Sequence, residues 1–203
     1  MLFPEQKDAN GIDYRENLVT VPACKAHNQD MGPDDIYFSL VMSVHFKADS
    51  PGQQNFGTKI LRAIQRDPGL SAQAFKNLRP AIMDGEQTGA FTVDRDRFDR
   101  CVRKITAGMY HRATGFRLPD WSIMNVLSPD LRLSTLEAPH AALEPAFADR
   151  PGWSFIQSGH SDIYRCRYVV ASKRPRHFAF EHVFLDGFRI WVIAGSPDAL
   201  WVA

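Results

Sequence analysis

The chain has 203 residues, 44% hydrophobic and 23% charged, with a formal net charge of +1. These values suit a globular protein of one domain, or of a small module joined to a medium one, and exclude a disordered or fibrous chain. No apolar stretch approaches a membrane span, and three widely spaced cysteines, Cys24, Cys101 and Cys166, are too few and too odd in number for a disulfide framework.

Residues 5–16 are polar and turn-prone, with a turn at Asn10-Gly11. The apolar run Leu18 to Ala23 reads as a strand. Pro33-Asp34-Asp35 opens a helix, with proline in its first turn and carboxylates at the positive end of its dipole. Ile36, Leu40, Val41 and Val44 carry that helix to about Phe46 at helical spacing. Residues 48–57 hold Asp, Ser, Pro and two Gly and mark a boundary, giving a segment 1–50 and a larger segment 51–203. Short helices are expected over Thr58–Arg66, stopped by Asp67-Pro68-Gly69, and from Ser71 to about Asn77.

The clearest helix runs from Asp94 to Ala113, with Asp94 as N-cap and Gly115 as terminator. Phe98, Val102, Ile105 and Met109 form one apolar stripe along it. A short strand is expected over Ser122–Val126. Residues 134–148 keep no clean period, and Pro139 and Pro145 interrupt them. The tail is β: Ile163–Ala171, Phe178–Leu185 and Phe188–Ile193, with Asp186-Gly187 as a hairpin turn. Phe178, Phe180, His182 and Phe184 would share one face of their strand. The expected fold class is α+β, with a helical middle and a C-terminal part rich in β-hairpins.

The chemistry-bearing pattern lies near the start. Leu2-Phe3-Pro4 is followed by Asn17-Leu18-Val19-Thr20-Val21-Pro22-Ala23-Cys24-Lys25-Ala26-His27-Asn28 and then by Asp34-Asp35-Ile36-Tyr37-Phe38. This order and spacing resembles the second half of the HNH endonuclease motif, the zinc-stabilised ββα-metal type. In that family a first Cys-x-x-Cys and an Asp-His-Val-Pro-Pro segment precede Leu-Phe-Pro. A second Cys-x-x-Cys/His pair and an Asn then open the helix. The resemblance covers about the first forty residues.

The resemblance implies roles. Cys24 and His27 match the second zinc pair. Asn28 matches the metal-binding last letter, although an Asn before a helix also serves as a cap. Asn17 matches the middle letter and would fix the metal-binding loop through backbone hydrogen bonds. A closed structural zinc site needs four ligands, and Cys24 with His27 supplies half of one. The family's general-base His, which activates water opposite a divalent metal such as magnesium, has no counterpart here, because no His precedes His27. The expectation is a truncated or degenerate family member, inactive or incomplete as written. The other reading is a non-enzymatic binding or structural protein that keeps the HNH-like segment as a folding element.

Charge is unevenly spread. Residues 1–54 carry four Lys/Arg against eight Asp/Glu, and residues 55–117 carry twelve against six. Such a basic segment fits either a DNA-facing surface or solvated helix faces. Arg97, Arg100, Arg103 and Lys104, clustered on one helix, are the candidate nucleic-acid contacts, with Arg112 and Arg117 beyond them. The remaining histidines carry little. His45 and His111 sit near helix ends, His160 in Ser158-Gly159-His160-Ser161-Asp162 is a polar-loop residue rather than part of a triad, and His182 reads as a satisfied core histidine. No nucleophile elbow, phosphate loop or dinucleotide fingerprint is present. With no apolar leader at Met1, the expected setting is cytoplasmic, with no membrane partner.

Overall fold

A computed structural model describes residues 11, 13, 18–22, 32–44, 61–66, 69, 72, 75–83, 85–118, 123–128, 147, 152–156, 158–172 and 175–195. Three helices are described: α1 (Gly32–Ser43), α2 (Leu61–Arg66) and α3 (Arg95–Thr114). A two-stranded hairpin, β1 (Arg79–Met83) and β2 (Glu86–Ala90), precedes α3. A five-stranded antiparallel sheet follows, built from β3 (Asn125–Leu127), β4 (Ser154–Ile156), β5 (Tyr164–Val170), β6 (Phe178–Phe184) and β7 (Phe188–Ala194). Its order is β3-β7-β6-β5-β4, with every pair antiparallel. The α+β class is therefore as expected.

α3 forms where its local signals place it. The Asp94 side chain accepts from the backbone N–H of Arg97, and Gly115 adopts φ +76° while its N–H caps the His111 carbonyl. Phe98, Cys101, Val102, Thr106, Met109 and Tyr110 form its buried face. That face and α1 pack on one side of the sheet. Phe38 of α1 lies 5.3 Å from Phe98 and 5.5 Å from Phe184, ring centre to ring centre. Seven consecutive residues of α1, Tyr37 to Ser43, are buried. A helix buried over two full turns is enclosed rather than laid on a surface, and Ile36, expected on its apolar side, is exposed instead.

The β tail follows its alternation. Tyr164, Cys166 and Tyr168 stand opposite Phe184, His182 and Phe180 on the helix-facing side. The hairpin turn between β6 and β7 differs by one residue from expectation. The positive φ values fall on Leu185 (48°) and Asp186 (52°), not on Asp186 and Gly187, and the Gly187 N–H closes the turn on Phe184 O. Leu185 takes this costly conformation because its side chain is buried and its N–H reaches Ile163 O at 2.9 Å.

Three expectations are corrected. The middle of the chain is not simply helical: residues 79–90 form a hairpin whose Ile82 is exposed, and residues 75–77 form a turn, not the end of a helix. Residues 18–22 form no strand, so the expected strand of the ββα element is not seen among the described residues. Their apolar content has another cause: Val19 packs on the main core, and Val21 lies so close to α3 that a Cβ on Gly108 would meet its Cγ2 at 2.9 Å. β3 covers only the end of the strand expected over Ser122–Val126, and β4 was not foreseen.

Candidate functional site

Asn17, Cys24, His27 and Asn28 lie outside the described residues, so the fit of a metal to them is not decided by geometry. Among the described residues no group of three His, Cys, Asp or Glu side chains could hold a metal ion. The candidate nucleic-acid residues are described in full.

Arg97, Arg100 and Lys104 recur at three- and four-residue steps, which puts them on one face of α3. That face meets the acidic start of α1. Arg97 Nε donates to Asp34 Oδ1 at 2.8 Å and its Nη2 donates to Pro33 O at 2.8 Å. Arg100 Nε donates to the other oxygen of Asp34 at 2.8 Å. Lys104 Nζ donates to both oxygens of Asp35, at 2.9 and 2.6 Å. The Arg97 guanidinium also lies over the Tyr37 ring, 4.4 Å from its centroid, and Tyr37 OH accepts the backbone N–H of Asp94 at 2.6 Å.

The electrostatics follow from these contacts. Partial burial pushes the Asp34 carboxyl up, but the hydrogen bonds from Arg100 and Arg97 outweigh it and hold the group below its ordinary range. Burial raises Tyr37. Arg103 stands apart from the clasp and acts with Arg95 on Asp99, whose carboxyl burial nevertheless pushes up. Three of the four candidate cations are thus held by carboxylates of α1. A phosphate reaching them would have to displace Asp34 or Asp35, which act as competing anions already in place.

Inside the sheet–helix core, His182 is fully buried and lies between two hydroxyls. Tyr164 OH is 2.8 Å from its Nδ1, and Thr106 Oγ1 is 2.9 Å from its Nε2. Thr106 donates its one hydroxyl proton to Val102 O at 2.8 Å. It can therefore only accept from His182, which fixes the proton on Nε2 and leaves Nδ1 to accept from Tyr164. The hydroxyl of Thr106, both ring nitrogens of His182 and the hydroxyl of Tyr164 each have a partner. Burial drives the His182 pKa down to about 3 and holds Tyr164 well above its ordinary value. The imidazole is a neutral structural link, as expected of a satisfied core histidine.

The opposite sheet face carries a second polar link. Leu127, Trp191, Glu181, Arg167 and Phe155 stand in register across the five strands. Glu181 accepts Arg167 Nε on one oxygen and Trp191 Nε1 on the other, the latter at 3.0 Å. Arg167 also donates to Phe147 O at 2.7 Å and lies over the Trp153 ring. Phe147 stacks on Trp191, with centroids 4.8 Å apart and planes 6° from parallel. No local pattern along the chain marks this group, because its members meet through strand register.

Among the described residues His160 forms no Ser-His-Asp triad. Its Nε2 contacts Asp13 O at 3.1 Å, and Ser158 Oγ donates its one proton to the Tyr164 carbonyl at 2.7 Å rather than to the imidazole. Among the described residues no helix is long and apolar enough to cross a membrane. No protein-family model, curated protein or solved structure matches the chain.

Proposed function

We propose that this chain is an HNH-nuclease-type protein acting on nucleic acid, in which the α+β body carries the HNH-like segment and does not itself perform the chemistry. The supporting observation is the place of α1. The resemblance sets this helix directly behind Cys24, His27 and Asn28, and Tyr37 to Ser43 are buried against α3 and the sheet. The Asp34 and Asp35 contacts then fasten its first turn to α3. Asn28 stands four residues before this fixed helix start. Cys24 and His27 would hold zinc as half of a structural site, and Asn28 a divalent ion such as magnesium, where the ion would stabilise charge on a phosphate.

The test is metal analysis joined to plasmid nicking. On this reading the 203 residues bind DNA weakly, hold little zinc and do not nick supercoiled plasmid with magnesium or manganese. Nicking that survives purification and disappears in Asn28→Ala would place catalysis in this chain. About one zinc per chain would overturn the half-site.

A second reading is a non-enzymatic binding or structural protein in which the HNH-like segment serves as a folding element. The pairing of Arg97, Arg100 and Lys104 with Asp34 and Asp35 favours it. A metal-free protein with no DNA affinity at low salt would decide for it.

A further inference from the structure

Three cations outside the clasp, Arg112, Arg117 and Arg176, belong to segments that meet near the C-terminal end of α3. Gly115, in the left-handed conformation, turns the chain out of the helix, and Phe116 and Arg117 follow exposed before Leu118 returns to the core. Arg112, in the last helical turn, is exposed as well. The connection between β5 and β6 is held against this helix end. Tyr110 OH donates to Pro175 O at 2.9 Å, and the Tyr110 ring packs on Phe178 at 5.2 Å. The exposed Arg176 is the next residue after Pro175. Residues 100–118 and 163–180 contain no Asp or Glu. Arg112, Arg117 and Arg176 have no ion-pair partner among the described residues, whereas Arg97, Arg100 and Lys104 do.

Cations at a helix C-terminus often serve only its dipole. That account covers Arg112. It does not reach Arg117, which lies beyond the helix, or Arg176, which belongs to a different element. Nor does it explain the exposed aromatic ring between Arg112 and Arg117. Exposed guanidinium groups with no ion-pair partner among the described residues, in segments that flank an exposed ring, are what a phosphodiester backbone with an unpaired base can use, through ionic contact and stacking.

We propose that Arg112, Phe116, Arg117 and Arg176 form the surface through which this protein holds single-stranded nucleic acid. The proposal rests on the nucleic-acid reading above and moves the contact from the middle of α3 to its C-terminal end. Phosphates pair with the three arginines, and Phe116 offers its face to a base. Recognition is independent of sequence, since neither kind of contact reads a base edge.

The test is fluorescence anisotropy with a labelled single-stranded oligonucleotide, in salt from about 50 to 200 mM. R117E/R176E should weaken binding at least about tenfold and reduce the log–log salt slope by about 1.4, the value for two lost phosphate contacts on a single strand. Neither residue lies in a helix, and an unchanged thermal midpoint shows that the fold is kept. F116A should weaken binding with the slope unchanged. R66E/R79E, which makes the same charge change at exposed positions elsewhere, should leave binding intact. Equal losses in both double variants, or none in R117E/R176E, would overturn this surface while leaving the nucleic-acid reading in place. No binding by the unaltered protein at about 50 mM salt would overturn both. Capture by phosphatidylserine vesicles without oligonucleotide binding would assign the patch to an anionic membrane and refute the proposal.

Discussion

Arg97 Nε lies 2.8 Å from Asp34 Oδ1, across 63 residues of sequence, while Arg100 Nε lies 2.8 Å from the other oxygen of the same carboxylate. One acidic residue at the start of α1 therefore holds two arginines of α3. Asp34→Ala removes the carboxylate that both share and should lower the unfolding free energy by about 1–3 kcal/mol, the range for hydrogen bonds to charged groups. Arg100→Ala should cost no more than about 1 kcal/mol, because that side chain is half exposed and screened. Urea unfolding of the two variants checks the order. Equal small effects would show that the clasp does not fasten α1.

Phe98 is fully buried and touches both Phe38 and Phe188. Phe98→Ala should therefore cost about 3–5 kcal/mol. A loss under about 1 kcal/mol, measured by the same urea titration, would mean that this ring does not join α1, α3 and the sheet.

The His182 pKa falls from 6.5 to about 3 on folding. The unfolded chain then binds more protons at this site throughout that interval, so stability rises with pH across it. This contribution is complete above pH 6.5 and is lost as pH falls towards 3, with a slope of up to about 1.4 kcal/mol per pH unit. Asp34, whose carboxyl is lowered from 3.8, adds a loss only below that value. In H182F/Y164F, which removes the imidazole together with the hydroxyl that needs it, the dependence between pH 6.5 and 4 should flatten. An unchanged slope would locate the titration elsewhere.

Burial pushes the Cys101 and Cys166 thiols up to about 12. Both should stay unmodified by a thiol reagent in the folded protein and react once it is denatured. Peptide mapping after labelling distinguishes them from Cys24. Native-state labelling of Cys166 would contradict its place opposite His182 in the sheet.

Val21 crosses α3 at Gly108, where a Cβ would meet Val21 Cγ2 at 2.9 Å. Gly108→Ala should forgo the gain of about 1 kcal/mol that alanine normally brings to a helix interior. In a Val21→Ala background that gain should return. A double-mutant cycle measures the coupling, and its absence would show that residues 18–22 do not dock there.

The sequence by itself determined the elements whose causes are local. Asp94 and Gly115 set the ends of α3 within a residue, since a cap acts on its own helix turn. The alternation in β5, β6 and β7 put His182 on the core face, since side chains alternate along any strand. Local signals failed where tertiary contact overrode them. Val19 and Val21 are apolar because they pack on the core and on α3, not because they pair in a sheet. β1 and β2 hold Arg79, Pro80, Gln87, Thr88 and Gly89, and show no apolar period to read.

What only the tertiary structure decided is which charges are spent and which are left. From the sequence, Arg97, Arg100 and Lys104 look as available as Arg112, Arg117 and Arg176. The fold brings Asp34 and Asp35 onto the first three and ties Pro175, the residue before Arg176, to Tyr110 in the last turns of α3. A charge is neutralised by whatever lies within a few ångströms of it in space, and that distance is not written in the order of residues along a chain.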